Sequence, residues 1–307
     1  MLLRIAIGWH FLYEGLEKVE STHKGAKPFT AEPYLRNATG PLAPYFRGLV
    51  PDVNSLAKLD PVRLKASWKD EVDRLSDHYH FDQAQRAKAQ QELKASEDYA
   101  DIWFEDRGTK EDRQKYYAEL RKVQAIEQNP KALSYERERA AASRKDLDVD
   151  RRKLIADLDA RAVTLREAVT KLATEEQREA AGTYSPPRTT LDFVNLSTMW
   201  GLVIMGTCLI LGLFTPLAAL AGAVFLGQIY LSMPPWPGLP ANPLAEGHYF
   251  IVNKNLIELL ACLALACIPS GSWIGLDALL FGARRRRREL ARELAEAEAA
   301  GHPHGSR

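Results

Sequence analysis

The sequence predicts an all-α fold, in which a four-helix transmembrane bundle carries a helical hairpin or coiled-coil insertion outside the bilayer. The charged residues crowd the middle of the chain and the apolar residues crowd its ends, although the mean hydropathy of the whole chain is −0.28. Long apolar runs in the C-terminal third contain no ionisable residue. In the charged middle, apolar residues recur at three- and four-residue steps, which is the spacing of one face of a helix.

The clearest membrane signal lies in residues 199–233. Met199–Phe214 contains no ionisable residue, and the apolar run resumes as Leu217–Met233 after Thr215 and Pro216. A helix that crosses the hydrocarbon core needs about 20 apolar residues, with a range of about 17–25. We therefore predict the second and third spans here, joined by a tight turn at Gly212–Pro216.

A fourth span is predicted over Phe250–Ile268, with a polar first third, and a short amphipathic helix at the membrane interface over Trp273–Phe281. Arg284–Arg288 follows as five consecutive arginines. Such a cluster favours the cytoplasmic side of a membrane. We therefore predict a cytoplasmic C-terminus. Three spans separate it from the insertion, which places the insertion outside, in the periplasm if the cell is bacterial.

The N-terminal segment is shorter and more polar than the other spans. Its apolar core, Ile5–Leu16, contains His10 and Glu14, and no small-residue cleavage site follows. A signal peptide has an apolar core and a cleavage site of that kind. We interpret the segment as a marginal first span that acts as a signal anchor, and Arg4 as its cytoplasmic anchor.

The insertion is predicted to be helical. Two stretches carry apolar residues at helical spacing: Leu64, Trp68, Val72, Leu75 and Tyr79, and then Leu158, Ala162, Leu165, Val169 and Leu172. Residues 131–181 contain neither glycine nor proline, and one helix of that length would be about 75 Å long. Because its apolar stripe is narrow, such a helix needs a partner. We expect an antiparallel hairpin or coiled coil, with breaks at Gly108 and Asn129–Pro130 and with charges that form solvated faces.

Four segments follow from these predictions. They are the first transmembrane helix and its loop (residues 1–52), the charged extracytoplasmic insertion (53–190), transmembrane helices two to four (191–282) and a basic cytoplasmic tail (283–307). The predicted location is the cell membrane, the inner membrane in a bacterium, so the first partner is the lipid bilayer. The formal net charge of +1 gives no reason to expect a nucleic-acid partner.

Motifs of soluble enzymes and of metal sites are absent from the sequence. There is no phosphate-binding glycine loop, no H-E-x-x-H and no C-x-x-C. All three cysteines lie in apolar stretches, so they predict no disulfide framework or zinc site in the insertion. His78 and His80 are two residues apart and point in different directions on a helix. We predict no metal site and no intrinsic cofactor.

The informative residues are polar ones at membrane depth. His10, Glu14 and Lys18 are four residues apart and share one helix face, as Lys254 and Glu258 do in the last span. Charges in hydrocarbon are costly, so both faces should point into the bundle and pair. We expect Glu14 to pair with Lys254 or Lys18, and Glu258 with Lys18 or His10. The candidate network is His10, Glu14, Lys18, Asn253, Lys254, Asn255 and Glu258.

Two roles fit this network. It is either a static link that holds the first span to the fourth, or a polar pocket for a quinone headgroup or a proton path. Residues 233–249 form a stiff, proline-rich loop before the last span, which we interpret first as a structural lid. Trp236, Glu246 and His248 are the candidate residues at the outer mouth of the polar face.

Four short motifs, taken together, carry a resemblance to a known family. They are RIAIGWHFLYEGLEK near the N-terminus, with Arg4, Gly8, Phe11, Gly15 and Lys18, YLRNATGPLAPYFRGLVPD at residues 34–52, GLFTPLAA at 212–219 and NKNLIE at 253–258. The chain resembles the DoxX/DoxD family of membrane proteins, which includes the small subunit of thiosulfate:quinone oxidoreductase. The first motif is similar to the opening helix of that family and GLFTPLAA to its turn G-L-F-T-R-x-A-A, and the other two resemble forms seen in one branch. The likeness covers residues 1–52 and 190–282.

The resemblance implies a four-helix membrane bundle and redox work with quinones or thiols. Two departures matter: Pro216 replaces the usual arginine, which weakens any role for a cation at that turn, and the minimal family lacks the insertion. We expect an accessory or small subunit of a quinone-linked membrane redox system, with no catalytic residue assigned. The alternative is a non-enzymatic anchor whose arm recruits an extracytoplasmic protein partner. A small-solute or proton pathway is a third reading.

Overall fold

The described part of the chain is helical. A computed structural model describes residues 1–24, 27–240, 247, 249–268, 270–280 and 290–292, and it contains no named β-strand within them. The predicted all-α class is confirmed for these residues. The helices are α1 (Leu2–Lys24), α2 (Glu32–Arg36), α3 (Ala43–Gly48), α4 (Pro61–His78), α5 (Gln83–Glu105), α6 (Arg107–Gln128), α7 (Ser134–Lys171), α8 (Glu175–Ala181), α9 (Thr190–Leu211), α10 (Thr215–Ser232), α11 (Lys254–Cys267) and α12 (Ser270–Trp273).

Among the described residues, α9 and α10 are the two helices long and apolar enough to cross a membrane. They pack in one group with α1 and α11: α9 contacts α1 and α10, and α11 contacts α10 and α1. All four helices contribute to one apolar core. The members of this core are Ile7, Phe11, Leu202, Met205, Leu209, Ala218, Ala219, Ala223, Leu226, Cys262 and Leu265.

Close backbone contact holds α1 against α9. A Cβ atom built on Gly206 would lie 2.8 Å from the Cα atom of Leu12, whereas a Cβ on Gly201 would have its nearest neighbour at 4.0 Å. Only glycine at position 206 therefore permits this approach. Small residues at helix contacts let two backbones come together, as they do in membrane helix pairs.

The turn between α9 and α10 lies where the sequence predicts it. Gly212 ends α9 in the left-handed conformation with φ 66°, which glycine adopts without strain. The Asp277 carboxylate accepts hydrogen bonds from the backbone N–H groups of Phe214, at 2.7 Å, and Thr215, at 3.1 Å. This side chain caps α10, because it satisfies N–H groups that lack a partner within the helix.

Arg4 does not lie at the surface, and its side chain has a packing role that the sequence did not predict. Its side chain is 1% exposed and donates hydrogen bonds to the backbone carbonyls of Ser270, at 3.0 Å, and Ile274, at 2.8 Å. Ser270 and Ile274 lie in the segment after α11, so backbone carbonyls of that segment accept the hydrogen bonds of the guanidinium. Arg4 thereby ties α1 to that segment.

The last predicted span begins later than expected. Tyr249 and Val252 form an isolated antiparallel bridge, and Phe250 between them has φ 62°, so this stretch is not helical. The Asn253 side chain accepts a hydrogen bond from Leu256 N at 3.0 Å. Asparagine at this position stabilises a helix start, and α11 begins at Lys254. The predicted helix over Phe250–Val252 is wrong for this reason. Glu246, His248, Phe281 and Arg284–Arg288 lie outside the described residues.

The insertion is more elaborate than a hairpin. α6 and α7 pack against each other, but α4 and α5 also pack on α7, and the four helices share one core that includes both predicted apolar stripes. The chain breaks at the Asp106 cap, two residues before Gly108, and at Asn129. The long helix predicted over residues 131–181 ends at Lys171. We call residues 53–189 the arm.

Residues 27–50, which contain α2 and α3, lie over one end of the four-helix group, and we call them the cap. The cap has a small apolar core, which also contacts α9 and α10. Backbone N–H of Thr39 donates to the carbonyl of Ser232 at 2.9 Å, and Ala31 N donates to the Asn195 side chain at 2.8 Å. These bonds fix the cap to the start of α9 and the end of α10, the ends that lie away from their shared turn.

Ion pairs join the cap to the arm. Glu127 of α6 accepts hydrogen bonds from Arg47 of the cap and from Arg144 of α7, each at 2.7 Å. Burial alone would raise the pKa of Glu127, but the two arginines outweigh burial and lower that pKa below its usual 4.5. Arg36 of the cap lies 3.5 Å from Asp148 of α7. The cap is thus held on one side by the helical group and on the other by the arm.

Candidate functional site

A cavity of about 910 Å³ lies beneath the cap, among α1, α9, α10 and α11. Side chains of these four helices and of the cap line it. All seven residues of the predicted polar network line this cavity: His10, Glu14, Lys18, Asn253, Lys254, Asn255 and Glu258. Their meeting in space follows from the contact of α1 with α11, although the two helices are more than two hundred residues apart in the chain.

Glu14 and Lys18 form an ion pair one turn apart on α1. Lys18 Nζ lies 5.6 Å from the centre of the Phe29 ring in the cap, which is within the range of a cation–π interaction. Lys254 lies close enough to Glu14 for their charges to attract. Of the two partners expected for Glu14, Lys18 makes the direct bond and Lys254 acts at longer range.

His10 and Glu258 meet between α1 and α11. The Nδ1 atom of His10 lies 2.9 Å from Oε1 of Glu258. The angles of this contact fall outside hydrogen-bond geometry, and Oε2 of Glu258 has no hydrogen-bond partner among the described residues. Of the two partners expected for Glu258, the structure places His10 beside it. An imidazole next to a carboxylate can hold a proton and pass it to a neighbouring group.

Asn253 is 3% exposed, and its amide oxygen caps α11. It therefore sets the position of Lys254 and Glu258, one turn apart on the helix that it starts. Trp236, a candidate for the outer mouth, does not line the cavity. Its indole N–H donates to the hydroxyl of Tyr230 at 2.9 Å, and that hydroxyl donates to the carbonyl of Ile251 at 2.8 Å. Trp236 joins α10 to the segment before α11.

Sequence reasoning missed the aromatic wall of the cavity, which the cap provides. Its members are Phe29, Tyr34, Tyr45 and Phe46. The available signal was their density in a short segment between the first span and the insertion. Periodicity did not identify them, because α2 and α3 have five and six residues and so make fewer than two turns each.

The cavity combines a polar end with apolar and aromatic walls, which is typical of small-molecule sites. No group of three or more His, Cys, Asp or Glu side chains able to hold a metal ion occurs in the described ranges. Comparison with protein-family models, curated proteins and solved structures finds no match for this chain. The site must therefore be interpreted from its own chemistry.

Proposed function

We propose that this chain is a multi-pass membrane protein of DoxX/DoxD type that binds the headgroup of a quinone, as an accessory or small subunit of a quinone-linked redox system. In this proposal α1, α9, α10 and α11 form a four-helix transmembrane bundle. The observation that carries it is the meeting of seven polar side chains in one cavity of about 910 Å³. Charged residues that face a bundle interior in a membrane mark binding sites and proton paths.

The chemistry of the cavity suits a quinone. A quinone takes up two electrons and two protons to become a quinol, and its carbonyl oxygens need proton donors nearby. The His10–Glu258 pair lies where it can supply protons, and the aromatic rings of the cap offer an apolar surface to the ring of the headgroup. The proposal assigns the supply of electrons to a redox partner protein.

A binding measurement tests this proposal. The protein in lipid nanodiscs is incubated with a long-chain ubiquinone, and the retained quinone is measured by chromatography. We expect Glu258→Gln to weaken retention at least tenfold, because the amide replaces the carboxylate that lies beside His10 and so changes the polar groups that face the headgroup. Glu20→Gln is the control, since Glu20 lies on the same α1 helix in an exposed pair with Lys24 and does not line the cavity.

Equal retention by wild type and Glu258→Gln would instead assign the polar network a structural role. A charge swap separates these roles further. Glu14→Lys combined with Lys18→Glu keeps an ion pair on α1, so a purely structural pair would tolerate the swap. If the pair instead contacts a headgroup, the double variant should unfold at the wild-type temperature but retain less quinone, because the acid and the base have exchanged positions.

The proposed membrane topology has its own test. In a background with Cys208, Cys262 and Cys267 replaced by alanine, Lys145→Cys on the arm should react with a membrane-impermeant thiol reagent in intact cells. Gly301→Cys in the tail should react only after the cells are opened. The opposite pattern would reverse the topology, and labelling of both in intact cells would contradict an odd number of spans between them.

A second function is favoured by the arm itself. Its helices have their own apolar core, so the arm does not depend on the bundle for its packing and is suited to presenting a surface to an extracytoplasmic partner. In that case the chain is a non-enzymatic anchor. Partners captured by the arm would then be unaffected by Glu258→Gln, whereas a redox complex would lose quinone turnover.

A further inference from the structure

The two helices of the cap each contact the cavity and the arm with neighbouring residues. Leu35 of α2 and Phe46 of α3 line the cavity. The next residue in each helix is an arginine, Arg36 or Arg47, and its guanidinium reaches a carboxylate of the arm. Because α2 and α3 have five and six residues, each makes fewer than two turns. A movement of either arginine therefore also moves the cavity wall beside it.

Two carboxylates of the arm are each shared between one arginine of the cap and one arginine of the arm. The contacts are Arg47–Glu127 and Arg144–Glu127, both at 2.7 Å, Arg36–Asp148 at 3.5 Å and Arg151–Asp148 at 2.8 Å. If the arm moves away from the cap, both carboxylates keep their arm arginines. Separation therefore leaves neither carboxylate of the arm unpaired.

The arginines of the cap also keep partners on their own side. Arg47 donates a hydrogen bond to the backbone carbonyl of Ala38 at 2.5 Å, and Arg36 forms an ion pair with Glu32 one turn away. A buried ion pair is costly to break chiefly because the remaining charge has no partner. Here every charge retains one, so the contact between cap and arm is suited to break and to form again.

The arm is built to move as one body. Its helices share their own apolar core, and it joins the rest of the chain through residues 51–60 and 182–189, which contain no helix before Pro61 and after Ala181. Residues 185–189 are all exposed. Links of this kind restrain a domain less than packed helices do, so the ion pairs with the cap help to set the position of the arm.

The middle of the cap is held more tightly, at the end of α10. The backbone N–H groups of Thr39 and Gly40 donate to the carbonyl of Ser232, at 2.9 and 3.3 Å. A Cβ atom built on Gly40 would lie 2.8 Å from Cδ of Pro234, so only glycine permits this approach. The segment between α2 and α3 is thus a fixed point about which the two helices can turn.

We propose that the arm controls access to the cavity through the cap. With the ion pairs formed, the cap closes the outer end of the cavity. An extracytoplasmic partner that draws the arm away breaks them, and α2 and α3 then turn about Thr39 and Gly40 and open the cavity. As a regulation of the headgroup site this inference rests on the proposed function, but its test needs no quinone.

The reaction rate of a thiol placed in the cavity measures access. Thr198 of α9 lines the cavity, and Thr198→Cys is made in the background without native cysteines. The protein in nanodiscs is treated with a water-soluble methanethiosulfonate reagent. We expect Arg47→Met and Glu127→Gln each to raise the rate about tenfold, because each removes one side of the same contact. The two changes combined should raise the rate no further, for the same reason.

Arg144→Met should have the opposite effect and lower the rate. It leaves Glu127 paired with Arg47 alone, so opening would strand the carboxylate and becomes more costly. The matched control is Glu71→Gln, which should react at the wild-type rate. The Glu71 side chain is 20% exposed, against 22% for Glu127, and it pairs with Arg166 inside the arm.

Three results would overturn the inference. They are wild-type rates in both Arg47→Met and Glu127→Gln, additive effects of these two changes, and an equal increase in Glu71→Gln or Arg144→Met, which would mean that loss of any arm charge loosens the protein. The thermal unfolding midpoint of each variant identifies one that has lost its fold, and the variant on the other side of the contact then decides. If wild type retains no quinone, these rates still report on access, so the two proposals fail separately.

Discussion

Arg4→Met is expected to destabilise the four-helix group by about 3–5 kcal/mol. The guanidinium of Arg4 donates to two backbone carbonyls, and hydrogen bonds to charged groups contribute about 1.5–3 kcal/mol each. Methionine has a similar length but cannot donate to either carbonyl, so both charge-assisted hydrogen bonds are lost. The effect is measured as a fall in the thermal unfolding midpoint of the detergent-solubilised protein.

Arg107→Met provides the control, because the Arg107 side chain is 93% exposed in a surface pair with Glu111. Exposed pairs of that kind contribute about 0–1 kcal/mol. Arg4→Lys should recover part of the loss, since one ammonium group cannot match the planar fork of arginine at two carbonyls. If Arg4→Met and Arg107→Met unfold at the same temperature, Arg4 does not hold the segment after α11.

Glu127→Gln is expected to weaken the attachment of the arm to the cap by about 2–3 kcal/mol. The Glu127 side chain is 22% exposed and lies between Arg47 and Arg144, which are 13% and 11% exposed. Loss of one partner from a buried ion pair costs about 3–5 kcal/mol, and partial exposure reduces this value. Limited proteolysis of the residues that link the arm to the cap measures the attachment.

The same ion pairs predict a dependence on pH. The pKa of Glu127 in the folded protein is below its usual 4.5. The stabilisation is therefore complete above about pH 4.5 and is lost as the pH falls through the folded-state pKa. Wild type should lose protection in that acidic range, and Glu127→Gln should lose less. Glu111→Gln, on the exposed face of the same helix, should follow wild type at every pH.

Much of the helical structure could be predicted because its signals are local. The stripe from Leu64 to Tyr79 lies in or beside α4 with every member buried. The turn at Gly212–Pro216 separates α9 from α10 as expected. The start of α11 is predicted too early because Phe250–Val252 are as apolar as the residues of a membrane helix. Asn253 caps the N-terminus of α11 in the structure, so the helix begins only at Lys254.

The candidate site was only partly predictable from the sequence. Helical spacing places His10, Glu14 and Lys18 on one face of α1. The free-energy cost of charged side chains in hydrocarbon predicts that this face points into the bundle. The partner of each charge depends on the rotation and depth of α11 against α1, which side-chain packing decides. Two pairings were therefore open for each carboxylate, and the structure has Glu14 with Lys18 and Glu258 with His10.

The sequence by itself determined the helical class, the apolar character of α9 and α10, and the faces on which the charges lie, because each depends on residues a few positions apart. Tertiary structure alone decided that Arg4 is buried, that the cap covers the cavity with aromatic rings, and that four arm helices share a core. Each of these depends on contacts between segments distant in the chain, whose free energy appears only when the segments have packed together.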